Sequence, residues 1–218
     1  MNSSLERVPP DWASSWVSSV TQEEVRSITR VESNEINRVF RLEYAGRRLY
    51  LKIGPDLRRE YKKLQWLDGR LPCPRPVGFM SHHSTDALLT SAIEGEGLAG
   101  LAGSLPPPVI ITRLVTALKT LHAAPITDWP FDRIKEGDVL LHGDACLPNF
   151  LFKGDHLSGY IDIGDMTVGA PEVDLAATVW SLQYNLGPGH GMAFLCEYGV
   201  EDIDEERVEA LRLRYEQG

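Results

Sequence analysis

The sequence predicts an α+β fold in two lobes, a small antiparallel β lobe over residues 1–93 and a mainly helical lobe over residues 94–218. Three observations predict it. Short strands with period-two alternation crowd the first part, helical spacing of apolar residues dominates the second, and a strand, loop and hairpin around residue 144 interrupt the helices.

Val25 to Val31 is expected to be the first strand. Val39 to Tyr44 and Arg48 to Ile53 alternate apolar and polar residues on either side of Ala45-Gly46, which predicts a hairpin from both period and turn chemistry. Pro55 opens a helix, because its missing N–H costs nothing in a first turn. There Leu57, Tyr61, Leu64 and Leu67 form an apolar stripe, Arg58, Arg59, Lys62 and Lys63 face water, and Gly69 marks the stop. Val77 to Met80 and Ala87 to Ile93 read as two further strands, and Glu94-Gly95-Glu96-Gly97 is the expected hinge. After Pro106-Pro107-Pro108, a helix from Val109 to Ala123 puts Ile110, Leu114, Leu118 and Leu121 on one face. Val139-Leu140-Leu141 leads into the central loop. Asn149 to Phe152 and Leu157 to Ile163 make the hairpin, and helices at Glu172–Leu186, His190–Tyr198 and Asp204–Glu216 close the chain.

Composition excludes several function classes. With 43% hydrophobic and 24% charged residues, the 218-residue chain has the balance of a folded protein and not of a disordered one. A net charge of -9 argues against a nucleic-acid partner, whose phosphates demand a basic face, and mildly favours a cationic small substrate. Cys73, Cys146 and Cys196 are odd in number and lack metal or redox spacing, which suits a reducing cytoplasm. Met1 to Val20 has no basic start or apolar core and no run approaches about 18 apolar residues, so neither export nor membrane anchoring is expected. A monomer or a homodimer is expected.

The chemistry concentrates in His142-Gly143-Asp144-Ala145-Cys146-Leu147-Pro148-Asn149 and in Asp162, thirteen residues after Asn149. Moving a γ-phosphoryl group to a hydroxyl needs a carboxylate beside the attacking oxygen and oxygen ligands that hold Mg2+ against the phosphates. Asp144 suits the first task, and Asn149 with Asp162 the second. An isolated Asp-x-x-x-x-Asn is more often a turn in which both side chains cap the backbone. The combination of strand, loop, hairpin and carboxylate in that order favours catalysis. Protein kinases place the same roles on H-R-D-x-x-x-x-N and D-F-G, and here Gly143 replaces the arginine and Ile163 the phenylalanine. In the β lobe, Lys52 ends the third strand and Glu60 follows eight residues later on a helix, an arrangement in which a lysine holds nucleotide phosphates and a glutamate sets its direction. Glu43 is an alternative partner for Lys52. The loop Glu32-Ser33-Asn34-Glu35-Ile36-Asn37 has no glycine, so Ser33 or Asn34 either caps a phosphate or only makes the turn. His82, His83, His122 and His190 have no companion ligands at metal spacing and are read as packed or solvated.

His142 to Asn149, Gly159 to Gly164, Asp174-Leu175-Ala176 and Trp66 to Pro72 together resemble the aminoglycoside phosphotransferases, the 3'-phosphotransferase branch in particular, over nearly the whole chain. The resemblance implies a two-lobed protein-kinase-like fold. It implies Asp144 as catalytic aspartate, Asn149 and Asp162 as magnesium ligands, and Lys52 with Glu60 as the nucleotide pair. Ser91, Ala92 and Ile93 correspond to the adenine-contacting linker, and Asp174 to a structural group that binds the loop backbone. The implied reaction is transfer of phosphate from ATP or GTP to an aminoglycoside of the kanamycin or neomycin type, conferring resistance. The alternatives are a kinase acting on another alcohol and a non-catalytic nucleotide-binding relative. Three departures concern the acceptor. Only nine residues separate Asp132 from His142 where the family carries a longer insert, Tyr184 and Asn185 stand where the family has an acidic pair, and the chain ends Glu216-Gln217-Gly218 where the family has an acidic, aromatic tail.

Overall fold

The computed structural model describes residues 8–31, 36–134 and 136–217. Two compact units are formed, one by the described residues through Asp68 together with Pro74–Ala92, the other by Gly69–Cys73 and the chain from Ile93 onward. Ser33 and Asn34 lie outside the described residues. No helix among the described residues is long and apolar enough to cross a membrane.

The first unit is an antiparallel sheet of β1 (Ser27–Val31), β2 (Arg38–Glu43), β3 (Arg48–Gly54), β4 (Pro76–His82) and β5 (Thr85–Ser91), in the order β1-β2-β3-β5-β4. Period two divides its residues between two faces. Phe40, Leu42, Leu49, Leu51, Ile53, Ala87 and Leu89 fill one face, and α1 (Asp11–Thr21) covers it with Ala13 and Val17, with Trp12 and Trp16 packed alongside. This helix was not expected from a segment with four serines. Its Trp12, Ala13, Trp16, Val17 and Val20 do carry the i, i+4 spacing, while the Ser18 and Ser19 hydroxyls bond back to the Ser14 and Trp16 carbonyls.

Lys52, between Leu51 and Ile53 on β3, must point to the other face, where α2 (Leu57–Leu67) supplies Glu60. The helix begins two residues after Pro55, with Asp56 in a left-handed conformation (φ 55°). Lys63 corrects the expectation of a solvated charge, since it is 2% exposed. Residues 60, 63, 64 and 67 recur at helical spacing, so Lys63 lies on the face of Leu64 and Leu67 whatever its charge.

The second unit contains α3 (Leu98–Leu101), α4 (Pro107–His122), α5 (Glu172–Leu186), α6 (Gly191–Tyr198) and α7 (Glu205–Gln217). It also holds two small sheets: β6 (Glu96–Gly97) with β8 (Phe150–Lys153) and β9 (His156–Tyr160), and β7 (Val139–Leu141) with β10 (Thr167–Gly169). The expected stripe of α4, Ile110, Leu114, Leu118 and Leu121, is fully buried. Glycine in the segment before α3 answers to close packing: a Cβ on Gly97 would stand 2.7 Å from the Pro148 carbonyl oxygen.

Candidate active site

The loop between β7 and β8 is held from one side by α5. Asp174, Thr178 and Ser181 are spaced four and three residues apart and therefore share a helical face. Each takes one part of the loop. Asp174 accepts the His142 N–H (2.7 Å, Oδ2) and the Gly143 N–H (2.9 Å, Oδ1), Thr178 donates to the Ala145 carbonyl (3.0 Å), and Ser181 accepts the Leu147 N–H (2.9 Å). Asp174 is completely buried, and a third donor completes its shell: His122 Nε2 lies 3.0 Å from Oδ2 while Nδ1 accepts from the Tyr198 hydroxyl at 2.7 Å. The His142 ring, also buried, ties the loop further, its Nε2 on the Ile161 carbonyl at 3.0 Å and its Nδ1 accepting the Asp144 N–H at 3.4 Å.

This frame presents Asp144. Asn149 lies at the end of a short 3-10 turn (Leu147–Asn149), not on the strand where the sequence reading began it, and its amide Nδ2 donates to the Asp144 carbonyl (2.9 Å) and to Asp144 Oδ2 (3.0 Å). The other carboxylate oxygen, Oδ1, accepts the Tyr215 hydroxyl at 2.8 Å. Burial pushes the Cys146 thiol up to about 12, partly offset by a hydrogen bond to Tyr215, which favours the protonated thiol beside the aspartate.

Asp162 lies two residues past the end of β9 in a left-handed conformation (φ 56°, ψ 51°). Its predecessor Ile161 is tied to both ends of the loop, donating its N–H to the Asn149 carbonyl (3.0 Å) and accepting His142 Nε2. With Asn149 Nδ2 fixed on Asp144, the amide oxygen is the arm left for a cation. One amide oxygen and one carboxylate would make a hard, all-oxygen donor set, of the chemistry that suits Mg2+ retaining several waters.

In the first unit, Lys52 Nζ donates to Glu60 Oε2 at 2.8 Å, with side chains 17% and 11% exposed. Glu60 is thus a Lys52 partner, whereas Glu43 is engaged by Arg48 at 2.8 Å and by Arg41 at 3.3 Å. In the linker the Ser91 N–H bonds the Arg75 carbonyl (2.9 Å) and the Ala92 N–H the Arg48 carbonyl (3.1 Å). Those two amides belong to the sheet, which leaves the Ile93 amide and the carbonyls for a ligand.

The family model of the phosphotransferase enzyme family matches residues 27–139 and 135–211. The chain belongs to that family. This phosphotransferase is 26% identical over 215 aligned positions to an aminoglycoside 3'-phosphotransferase of Niallia circulans, covering 76% of this chain and 82% of the relative. It is 25% identical to an aminoglycoside 3'-phosphotransferase of Streptomyces ribosidificus (78% and 87% covered). Among solved structures, the aminoglycoside phosphotransferase APH(3'')-Id of Streptomyces rimosus superposes with a TM-score of 0.74 at 19% identity, covering 95% of this chain and 98% of the other. An aminoglycoside-3'-phosphotransferase of type VIII gives 0.70 at 21% identity, covering 94% and 98%. The phosphotransferase therefore has the two-lobed protein-kinase-like α+β fold expected from its sequence.

Sequence reasoning missed Thr178, Ser181 and Tyr215. The first two had a signal, since a polar residue recurring at helical spacing on an otherwise apolar face must have a buried partner. Tyr215 had none. The loop also depends on Gly143, whose φ is +84° and whose Cβ position is blocked by the Asp165 carbonyl. Gly143→Ala should lower the unfolding free energy of this phosphotransferase by about 2–4 kcal/mol, from left-handed strain and overpacking together. Urea titration checks this, and a loss below about 1 kcal/mol would mean that the loop relaxes without strain.

Proposed function

We propose that this phosphotransferase transfers the γ-phosphoryl group of ATP or GTP to a hydroxyl of an aminoglycoside of the kanamycin or neomycin type, acting in the cytoplasm as a monomer or homodimer and conferring resistance. The observation that carries the reading is Asp144: a carboxylate on a loop clamped by α5, with one oxygen steadied by Asn149 and the other facing a hydroxyl. The names of the curated relatives support phosphate transfer to an aminoglycoside, and a solved neighbour of the same fold is a complex with ADP and streptomycin.

In this reading the acceptor O–H lies against Asp144, the acceptor oxygen forms a bond to the γ-phosphorus, the bond to the β–γ bridging oxygen breaks, and the proton passes to the carboxylate as the nucleoside diphosphate leaves. Asn149 and Asp162 would hold Mg2+, which when bound neutralises charge on the phosphates. Lys52, directed by Glu60, engages the α and β phosphates, and Ile93, with the carbonyls of Ser91 and Ala92, meets the adenine edge.

An alcohol other than an aminoglycoside is the second reading, favoured by the acceptor-side residues. Tyr184 is 76% exposed and Asn185 is bonded to the Ser181 carbonyl at 2.7 Å, so neither position offers a carboxylate to an ammonium group. Transfer assays with Mg-ATP and Mg-GTP across kanamycin, neomycin, hygromycin B and simple amino alcohols decide between them. In the same assay Lys52→Ala should lower nucleotide kcat/KM roughly 10–100-fold, the worth of a charge-assisted contact to phosphate. An unchanged value would remove Lys52 from nucleotide binding.

A further inference from the structure

Asp144 has two oxygens, and their partners differ in kind. Oδ2 is held by the Asn149 amide, a group of the loop itself, whereas Oδ1 is held by the hydroxyl of Tyr215 on α7 at 2.8 Å. A base that takes a proton from an alcohol must have an oxygen within hydrogen-bond reach of that alcohol. Tyr215 already places an O–H there. Burial, then the neighbouring Cys146 and Asp144, raise its pKa, so it stays a protonated donor, the same kind of group that an acceptor alcohol would offer.

The ring of Tyr215 leads outward. It packs at 5.2 Å and 44° against Trp180, which stacks on Tyr184 at 5.2 Å and 11°, Trp180 and Tyr184 being four residues apart on one face of α5. A continuous aromatic surface therefore runs from the reactive carboxylate to a tyrosine that is 76% exposed. The loop needs none of these rings for support, because Asp174, Thr178 and Ser181 hold it.

We propose that Trp180, Tyr184 and Tyr215 form the acceptor seat: the acceptor lays a ring face on the Tyr184–Trp180 stack, and its reacting hydroxyl replaces that of Tyr215 at Asp144 Oδ1. The inference rests on Asp144 being the base, and it names what that base receives. Aromatic faces attract cations and the C–H faces of saturated rings. The ligand class is a hydroxylated saturated ring bearing an ammonium group, recognised through π faces where an acidic pair would use ion pairs.

Calorimetric titration of kanamycin into the full chain with Mg-ADP, alongside steady-state kinetics, tests the seat. Tyr184→Ala, at a solvent-exposed position, should raise the acceptor Kd and KM about 3- to 30-fold with kcat within about twofold, and Tyr184→Phe should restore both. Tyr215→Phe should lower the acceptor KM, since no hydroxyl then competes for Oδ1. Kanamycin binding to Tyr184→Ala as to wild type overturns the seat, as does a wild-type chain that binds no ring alcohol of the acceptor panel. Failure of the reading of Asp144 looks different: Asp144→Asn would then keep transferring phosphate, whatever the Tyr184 variants do.

Discussion

Asp144→Asn should lower kcat by about 10²–10⁴-fold, the range expected when a positioned base is removed from proton transfer. The substitution is close to isosteric and leaves Asn149 and Tyr215 with an amide to contact, so the loop has little reason to move. Its backbone is held elsewhere, by Asp174, Thr178 and Ser181. The nucleotide KM should therefore stay within about twofold and the unfolding midpoint close to that of the wild type. Kinetics with saturating Mg-ATP and the best acceptor of the panel measure the effect. A variant keeping more than about a tenth of wild-type kcat would show that Asp144 takes no proton, and the assignment of the loop would have to be given up.

Asp174→Ala should have the largest effect on stability, about 3–5 kcal/mol. The carboxylate is fully buried and accepts from three donors, the N–H groups of His142 and Gly143 and the Nε2–H of His122. Truncation removes the acceptors and leaves the donors inside, where each stranded group costs about 1–3 kcal/mol. Those costs overlap, because the loop can relax or admit water. Transfer activity should fall with stability, since the donors belong to the segment that presents Asp144. Chemical denaturation and amide exchange at residues 142–144 check the prediction together. Normal protection of those amides in the variant would mean that the loop keeps its shape without α5.

Much of the candidate site was legible because its residues lie close in sequence. Asp144 and Asn149 belong to one loop, and the hairpin that returns the chain to Asp162 is encoded by local turn and strand patterns, so spacing alone brings them toward one another. Lys52 and Glu60 were legible for a related reason: a period of two on β3 and a helix beginning soon after it leave few other arrangements. Where the sequence reading failed, it took residue type as a proxy for environment. Lys63 was assigned to water by its charge, yet helical phase puts it in the interior. The serine-rich segment of α1 carries no element in the sequence reading, yet burial of Ala13 and Val17 against the sheet makes it helical.

Local chemistry was already set by the sequence itself: the family, the α+β order of elements, the loop with its aspartate and asparagine, and the lysine–glutamate pair. Only tertiary structure decided what surrounds that chemistry. The three donors on Asp174 come from two distant segments, and the hydroxyl on Asp144 comes from a helix 71 residues further along the chain. Contacts at such separations follow from how α5 and α7 pack, and packing depends on the summed shape of many side chains, whereas periodicity records only which face of each element is apolar.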